Sequence, residues 1–385
     1  MSYDKYKTRW LQRYPAVSDL KKKAKKRIPS LAWEYLEAGT DDEHLINQNV
    51  AAFADIKFRP RFCKGVLEPD LRTTLFGREY SAPFGIAPIG LSGLVWPKAE
   101  LYHAAAATRH NIPYSLSTVA TETPETLAPH IGDNGWFQLY APKDREVALD
   151  LLDRASAAGF NTLLFTIDVP VPSSRQRTAR AGLTMPPKVT PGLIWDGATH
   201  LSWAMSTIKR GLPNLRTIAQ YSQDNSIEKT SKFVGAQLGG TIDWEYIELV
   251  RDHWKGEVVV KGVMHPADAE KSLDIGVDGI SVSNHGGRQF DGAYPSISAL
   301  PEISEVVGGK VPIIFDGGVR TGLDVMRALS LGADFVLLGR AFMFGVAALG
   351  RYGSEHVIEV IKNEMIVNMH QLGVETVREV KEYRG

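Results

Sequence analysis

His285 and Arg288 stand three residues apart in the segment Ser283-Asn284-His285-Gly286-Gly287-Arg288-Gln289. Imidazole is the side chain best suited to move a proton near neutral pH. A planar guanidinium holds a carboxylate through two parallel hydrogen bonds. A base and a carboxylate clamp on one turn point to chemistry at the carbon beside an acid group. Taken alone, the same residues also fit a glycine-rich turn with two solvated polar side chains, so the elements around them have to decide.

The turn follows an apolar run, Gly279-Ile280-Ser281-Val282, which reads as a buried strand. Similar runs near 83–90, 114–118, 136–140, 162–168, 258–263, 312–318 and 335–340 also read as strands. Helical patterns fall between most of them: Pro97–His110, Asp144–Ala158, Trp244–His253, Pro266–Leu273, Ile297–Val307 and Gly322–Leu331. Strand–helix alternation predicts a parallel sheet, and eight such strands predict a closed (β/α)8 TIM barrel, an α/β fold. Residues 1–60 read as a polar helical extension, with a helix over Leu31-Ala32-Trp33-Glu34-Tyr35-Leu36 that stops near Gly39. A long insertion, 176–232, follows the fourth strand and contains Met185-Pro186-Pro187, Pro191-Gly192-Leu193-Ile194-Trp195 and Leu201-Ser202-Trp203-Ala204-Met205. It is read first as a packed lid or subunit contact over the catalytic face, and second as a membrane contact. The whole chain, 1–385, is read as a single domain.

In a barrel, functional groups gather at the C-terminal strand ends. The third strand ends Gln138-Leu139-Tyr140, and the fourth ends Thr166-Ile167-Asp168 with Arg175 just beyond. The fifth carries Lys261, and the sixth carries His285 and Arg288. Any one of these reads equally well as a satisfied structural group; together, in register, they read as a site. Asp316-Gly317-Gly318-Val319-Arg320 and Leu338-Gly339-Arg340 close the seventh and eighth strands. Glycines admit an anion close to backbone N–H groups and arginines add charge, so this pair of turns predicts a phosphate on substrate or cofactor.

Lys+Arg and Asp+Glu both number 44, and this balance gives no reason to expect nucleic-acid binding. The run Lys21-Lys22-Lys23-Ala24-Lys25-Lys26-Arg27 reads as a solvated helix face, with contact to anionic lipid as the minor reading. The single cysteine, Cys63, rules out an intrachain disulfide and is read as structural. No apolar leader and no membrane span is read, which predicts a cytoplasmic protein. No metal-ligand set is read.

The His-Gly-Gly-Arg turn, with the downstream Gly-Gly-Val-Arg and Gly-Arg, closely resembles the FMN-dependent 2-hydroxy-acid oxidases and dehydrogenases. These include glycolate oxidase, lactate oxidase and the flavin-dependent lactate and mandelate dehydrogenases. The resemblance runs from about residue 10 to 380. It implies oxidation of an L-2-hydroxy acid to the 2-oxo acid, with electrons passing to FMN and then to oxygen, a quinone or another acceptor. It implies His285 as base, Asp168 as its partner, Arg288 and Arg175 as carboxylate clamp, and Tyr140 on the substrate oxygen. Lys261 would stand by the flavin N1–O2 edge. Pro88, Ile89, Gly90, Ser117, Gln138, Thr166 and Ser283 match flavin contacts. Asp316, Gly317, Gly318, Arg320, Gly339 and Arg340 match the ribityl-phosphate site. A homotetramer, with membrane contact through the insertion, is implied as well.

Two positions depart from that pattern. Counting back from Gly39, Trp33 takes the place of a substrate-binding tyrosine, with Tyr35 facing elsewhere. Gly90 replaces an alanine of some relatives, which predicts extra room beside the flavin. Together they predict a bulky substrate. The competing reading is a non-redox barrel isomerase or lyase, either with FMN, as in flavin-dependent isopentenyl diphosphate isomerase, or using the phosphate site for substrate. A catalytically silent scaffold is disfavoured because the catalytic set is complete.

Overall fold

The computed structural model describes residues 3–183, 190–239 and 242–383. A short hairpin, β1 (Thr73–Leu75) and β2 (Arg78–Tyr80), precedes the barrel strands β3 (Phe84–Ile86), β4 (Tyr114–Ser117), β5 (Gly135–Tyr140) and β6 (Thr162–Thr166). They are followed by β7 (Glu257–Val263), β8 (Gly279–Val282), β9 (Ile313–Asp316) and β10 (Phe335–Leu338). β3 to β10 pair in parallel, and β10 returns to β3 through Val336↔Phe84 and Leu338↔Ile86, which closes the barrel. The predicted helices form between the strands with ends displaced by a residue or two, as fraying ends allow.

Period-two alternation then sorts the side chains. Phe137, Leu163, Phe165, Val258, Val260, Ile313, Phe315 and Val336 point outward into the core shared with the helices. Trp136, Leu164, Val259, Ile314, Phe335 and Leu337 point inward, where Leu75 and Tyr80 of the hairpin join them. The hairpin therefore plugs the N-terminal end of the barrel. Two residues further along the same strands, the inward positions are Gln138, Thr166, Lys261 and Asp316, with Ser283 just past the end of β8 beside them. The barrel thus has an apolar lower layer and a polar upper layer.

Several elements escape the sequence pattern. The hairpin turns at Phe76-Gly77, both with positive φ, rather than at an Asn-Gly signal. The helix Arg340–Leu349 is apolar on every side, so it shows no periodicity, and its segment Ala341–Leu349 is buried throughout. Cys63 is exposed and so is not a core residue.

The insertion runs past its predicted end at 232 into the helix Ile227–Gln237, whose following residue Leu238 bridges Pro142. Its described helices include Gln176–Arg180, Pro191–Thr199 and Leu201–Arg210. Met185-Pro186-Pro187 lies outside the described residues. The Glu122 carboxylate, almost fully buried, pairs with Arg210 and Arg216 and anchors the insertion to the loop after β4. The Trp203 indole donates to Leu94 O at 2.9 Å. Ile194, Trp195, Leu201, Met205, Ile208 and Leu212 remain exposed.

Candidate active site

A cavity of about 550 Å³ opens above the polar layer. Its wall brings together Pro88, Ile89, Gly90, Gln138, Tyr140, Thr166, Lys261, His285, Arg288, Arg175, Asp316, Gly317, Gly318, Arg320, Gly339 and Arg340. Asp168 stands directly behind His285. Ser117 and Ser283, read as flavin contacts, are buried behind the wall, with the Ser117 hydroxyl bonded to Gln138 Oε1 at 2.7 Å.

His285 has φ +58°, a left-handed conformation that histidine adopts more readily than most residues. This turn carries the imidazole between two partners. Nδ1 lies 2.9 Å from Asp168 Oδ1, and Nε2 lies 3.1 Å from the Tyr140 hydroxyl. Burial pushes the Asp168 carboxyl up, but the neighbouring His285 and Lys261 outweigh it and hold it below the usual carboxylate range. An ionised carboxylate only accepts, so Nδ1 carries a proton, and in the neutral imidazole Nε2 is then the nitrogen with the lone pair. Burial, then Asp168, raises the Tyr140 phenol, so it stays protonated and donates. The arrangement is an oriented imidazole whose accepting nitrogen, bonded to the Tyr140 hydroxyl, faces the cavity.

Lys261 is buried. Burial lowers its ammonium, yet Asp316, with Oδ2 at 3.0 Å, and Asp168 raise it further, so it stays charged. β7 bulges just after it at Gly262, where a Cβ would lie 2.6 Å from Asp168 Cβ. That position therefore requires glycine for Asp168 to reach His285.

Four guanidiniums share the cavity wall: Arg175, Arg288, Arg320 and Arg340. Their hydrogen bonds go to backbone carbonyls and neutral side chains. Arg288 donates to Tyr35 O and Ala38 O, and Arg340 to Leu36 O, Gly286 O and Ala38 O. Arg320 donates to Val319 O, and Arg175 to Ser173 Oγ and Gln289 Oε1. Burial followed by the adjacent Arg175 pushes Arg288 down to about 10. Burial, then Arg288 and Arg320, holds Arg340 well below its ordinary value against the opposing pull of Glu37. Recessed, mutually repelling cations call for anions between them. Gly317 and Gly318, at φ +117° and +83°, line the same end with bare backbone; a Cβ at Gly318 would lie 2.0 Å from Asn49 O. The residues thus fit two anions, a phosphate by Arg320 and Arg340 and a carboxylate by Arg288 and Arg175, with polar groups between them for a heteroaromatic edge.

Trp33 is not at this site. Its ring is buried against Phe344, with centroids 6.0 Å apart. Tyr35 lines the cavity instead; its hydroxyl donates to Gly90 O at 2.7 Å and its ring lies 5.1 Å from the Arg288 guanidinium carbon. Residues two apart on a helix point roughly 200° apart, so only one of them can face the cavity. Tyr35, not Trp33, is therefore the aromatic residue that this helix presents to the cavity. The room expected beside Gly90 is also taken: a Cβ there would lie 2.5 Å from Val119 Cγ2, so glycine lets Val119 pack. Neither departure supports a bulky substrate.

Fold and site together define a (β/α)8 barrel whose cavity sets an imidazole–carboxylate pair beside four guanidiniums suited to anionic ligands. The FMN-dependent dehydrogenase family model matches residues 24–384, and this chain belongs to that family, whose enzymes use FMN and act on the CH–OH group of a hydroxy acid. It is 40% identical over 367 residues to an L-lactate dehydrogenase of Ectopseudomonas mendocina (strain ymp), covering 95% of this chain and 97% of the relative. An L-lactate dehydrogenase of Xanthobacter autotrophicus is 39% identical over 365 residues, covering 94% of each chain. Among solved structures, that of the monotopic membrane protein (S)-mandelate dehydrogenase superposes with a TM-score of 0.91 at 33% identity, covering 96% of this chain and 98% of that one. A mandelate oxidase with (S)-4-hydroxymandelic acid gives 0.82 at 31% identity, covering 96% and 98%.

Proposed function

We propose that this protein oxidises an L-2-hydroxy acid with an apolar side chain to the 2-oxo acid, with His285 as the base. The observation that carries this reading is the His285 pair of hydrogen bonds, which leaves Nε2 as an oriented acceptor within the arginine-lined cavity. When bound, FMN supplies the two-electron acceptor. Arg320, Arg340 and the Gly317-Gly318 backbone would hold its phosphate, and Gln138, Thr166 and Lys261 the polar edge of its ring. Arg288 and Arg175 hold the substrate carboxylate. Tyr140 donates to the substrate oxygen while Nε2 of His285 takes the hydroxyl proton. Asp168 then faces the imidazolium through Nδ1–H and stabilises it. The remaining wall, with Val119, Leu183, Val234, Leu238 and Ile242, suits an apolar substituent.

The test is anaerobic titration of the yellow holoprotein with L-2-hydroxy acids, from glycolate through lactate to mandelate. Bleaching is expected with the L acids that bear an apolar group. Turnover without bleaching would establish the isomerase or lyase reading instead. We propose that the cavity-facing Tyr35 hydroxyl turns from Gly90 O to the substrate carboxylate on binding, so in the same titration Tyr35→Phe should weaken substrate binding by roughly 3- to 10-fold, the range of one hydrogen bond. Trp33→Phe should leave substrate binding unchanged.

We further propose that the insertion lies against a membrane. Leu201, Met205 and Ile208 recur at helical spacing on the helix Leu201–Arg210 and are exposed, as are Leu212 just beyond its end and Trp195 nearby in the chain, and exposed Lys22, Lys25 and Lys26 suit an anionic surface. No described helix is long and apolar enough to cross a membrane. Ile208→Glu should lower sedimentation with anionic phospholipid vesicles about tenfold or more while anaerobic bleaching is unchanged, on the basis of about 1.5–3 kcal/mol for a buried isoleucine. Equal sedimentation of both proteins would remove the membrane proposal.

A further inference from the structure

A serine hydroxyl has one proton and two lone pairs. At Ser283 all three are engaged. Oγ accepts from Lys261 Nζ at 2.8 Å and from the backbone N–H of His285 at 3.1 Å. Neither of those groups can accept, so the hydroxyl's own proton goes to Asp316 Oδ1, at 2.7 Å. The residue has no exposed surface. Its matching position implies a flavin contact, yet no hydrogen-bonding capacity is left for one.

We infer that Ser283 is a positioning residue whose hydroxyl holds the base and the neighbouring cation to one shared point. This rests on the reading of His285 as base. The His285 N–H sits in a left-handed turn and makes no other hydrogen bond among the described residues. A bond from a hydroxyl to the N–H two residues on is the local device that stabilises such turns. Here it holds the backbone from which the imidazole reaches both Asp168 and Tyr140. The same oxygen holds the Lys261 ammonium, which also faces Asp316. Without the hydroxyl, the His285 N–H is buried with no acceptor and the turn relaxes. Lys261 then swings wholly onto Asp316. Base and cation lose their common reference while the arginines that hold carboxylate and phosphate keep theirs.

The experiment compares the Ser283→Ala and Ser283→Thr holoenzymes with the unmodified protein. In Ser283→Ala the anaerobic bleaching rate at saturating hydroxy acid should fall roughly 10- to 100-fold, while the substrate dissociation constant stays within about threefold, because the tether acts on the base and not on the clamp. The His285 Nδ1 proton resonance, identified by its loss in His285→Asn, should shift or broaden with and without FMN. Ser283→Thr, which keeps the hydroxyl, should restore both readouts. An unchanged rate and resonance in Ser283→Ala would overturn the proposal. So would weakened FMN retention as the sole effect, since that marks a flavin ligand. If Ser283→Ala does not fold, Ser283→Cys replaces it under the same criteria, since a thiol keeps the volume but bonds weakly. Near-normal bleaching in His285→Asn would remove the base assignment itself. Near-normal bleaching in Ser283→Ala alone removes only the positioning role.

Discussion

Replacing His285 with asparagine should slow anaerobic flavin reduction by at least ~100-fold, and by as much as ~10⁴-fold, the range over which a positioned acid–base group accelerates proton transfer. Asparagine is the informative substitution for two reasons. It tolerates the left-handed backbone that His285 adopts at φ +58°, so the turn and the Ser283 bond to its N–H are kept. Its amide can also still donate toward Asp168, so the loss is confined to the proton acceptor at Nε2. FMN should remain bound, because the residues assigned to its phosphate, Arg320 and Arg340, are held by carbonyls of Val319, Leu36, Gly286 and Ala38. Only Gly286 O lies on the His285 turn. The rate is read by stopped flow under anaerobic conditions and FMN content by the absorbance of the purified protein. A variant that bleaches at the unmodified rate would show that another group takes the proton.

Asp168→Asn should produce the second large effect, again at least ~100-fold on flavin reduction, through a different route. Asp168 takes no proton from substrate. It fixes which imidazole nitrogen carries hydrogen and balances the charge that arrives on His285. An amide in its place can present either N–H₂ or C=O to Nδ1. When it presents N–H₂, the imidazole proton moves to Nε2 and the base faces the cavity with no lone pair. The same substitution has a signature in stability. The folded-state pKa of Asp168 lies below its ordinary value, because His285 and Lys261 together outweigh burial. A depressed carboxylate pKa adds stability that is present above the unfolded value of about 3.9 and is lost as pH falls through the folded value. The melting temperature of the unmodified protein should therefore exceed that of Asp168→Asn near pH 6, with the gap narrowing toward pH 3. A gap independent of pH would show that Asp168 is not held ionised by its neighbours.

The polar upper layer of the barrel is legible in the chain itself. Gln138, Thr166, Lys261 and Asp316 each follow an inward apolar residue by two positions, and strand geometry alone sends them to the same face. The two Gly-Arg turns were legible for a similar reason, since both close strands that the alternation had already located. Ser283 shares that parity, but its role was not legible. Parity places it inward and says nothing of three partners drawn from β7, β9 and its own turn. The hairpin and the helix Arg340–Leu349 left weaker traces, the first because its strands are only 3 residues long and the second because its apolar residues face all directions.

What the chain determined by itself was the barrel and the facing of its strand ends, because a repeat of two residues admits only two orientations and the apolar run selects one. What the tertiary structure alone decided was the rotation of the helix Ser30–Glu37. Its sequence offers Trp33 and Tyr35 on nearly opposite sides and does not rank them. Docking ranks them: Arg288 and Arg340 grip the carbonyls of Tyr35, Leu36 and Ala38 at the helix C-terminal end. Phe344 stacks on the indole on the other side. A helix this short takes its rotation from what it packs against, because unpaired C-terminal carbonyls bind cations wherever the fold brings them together.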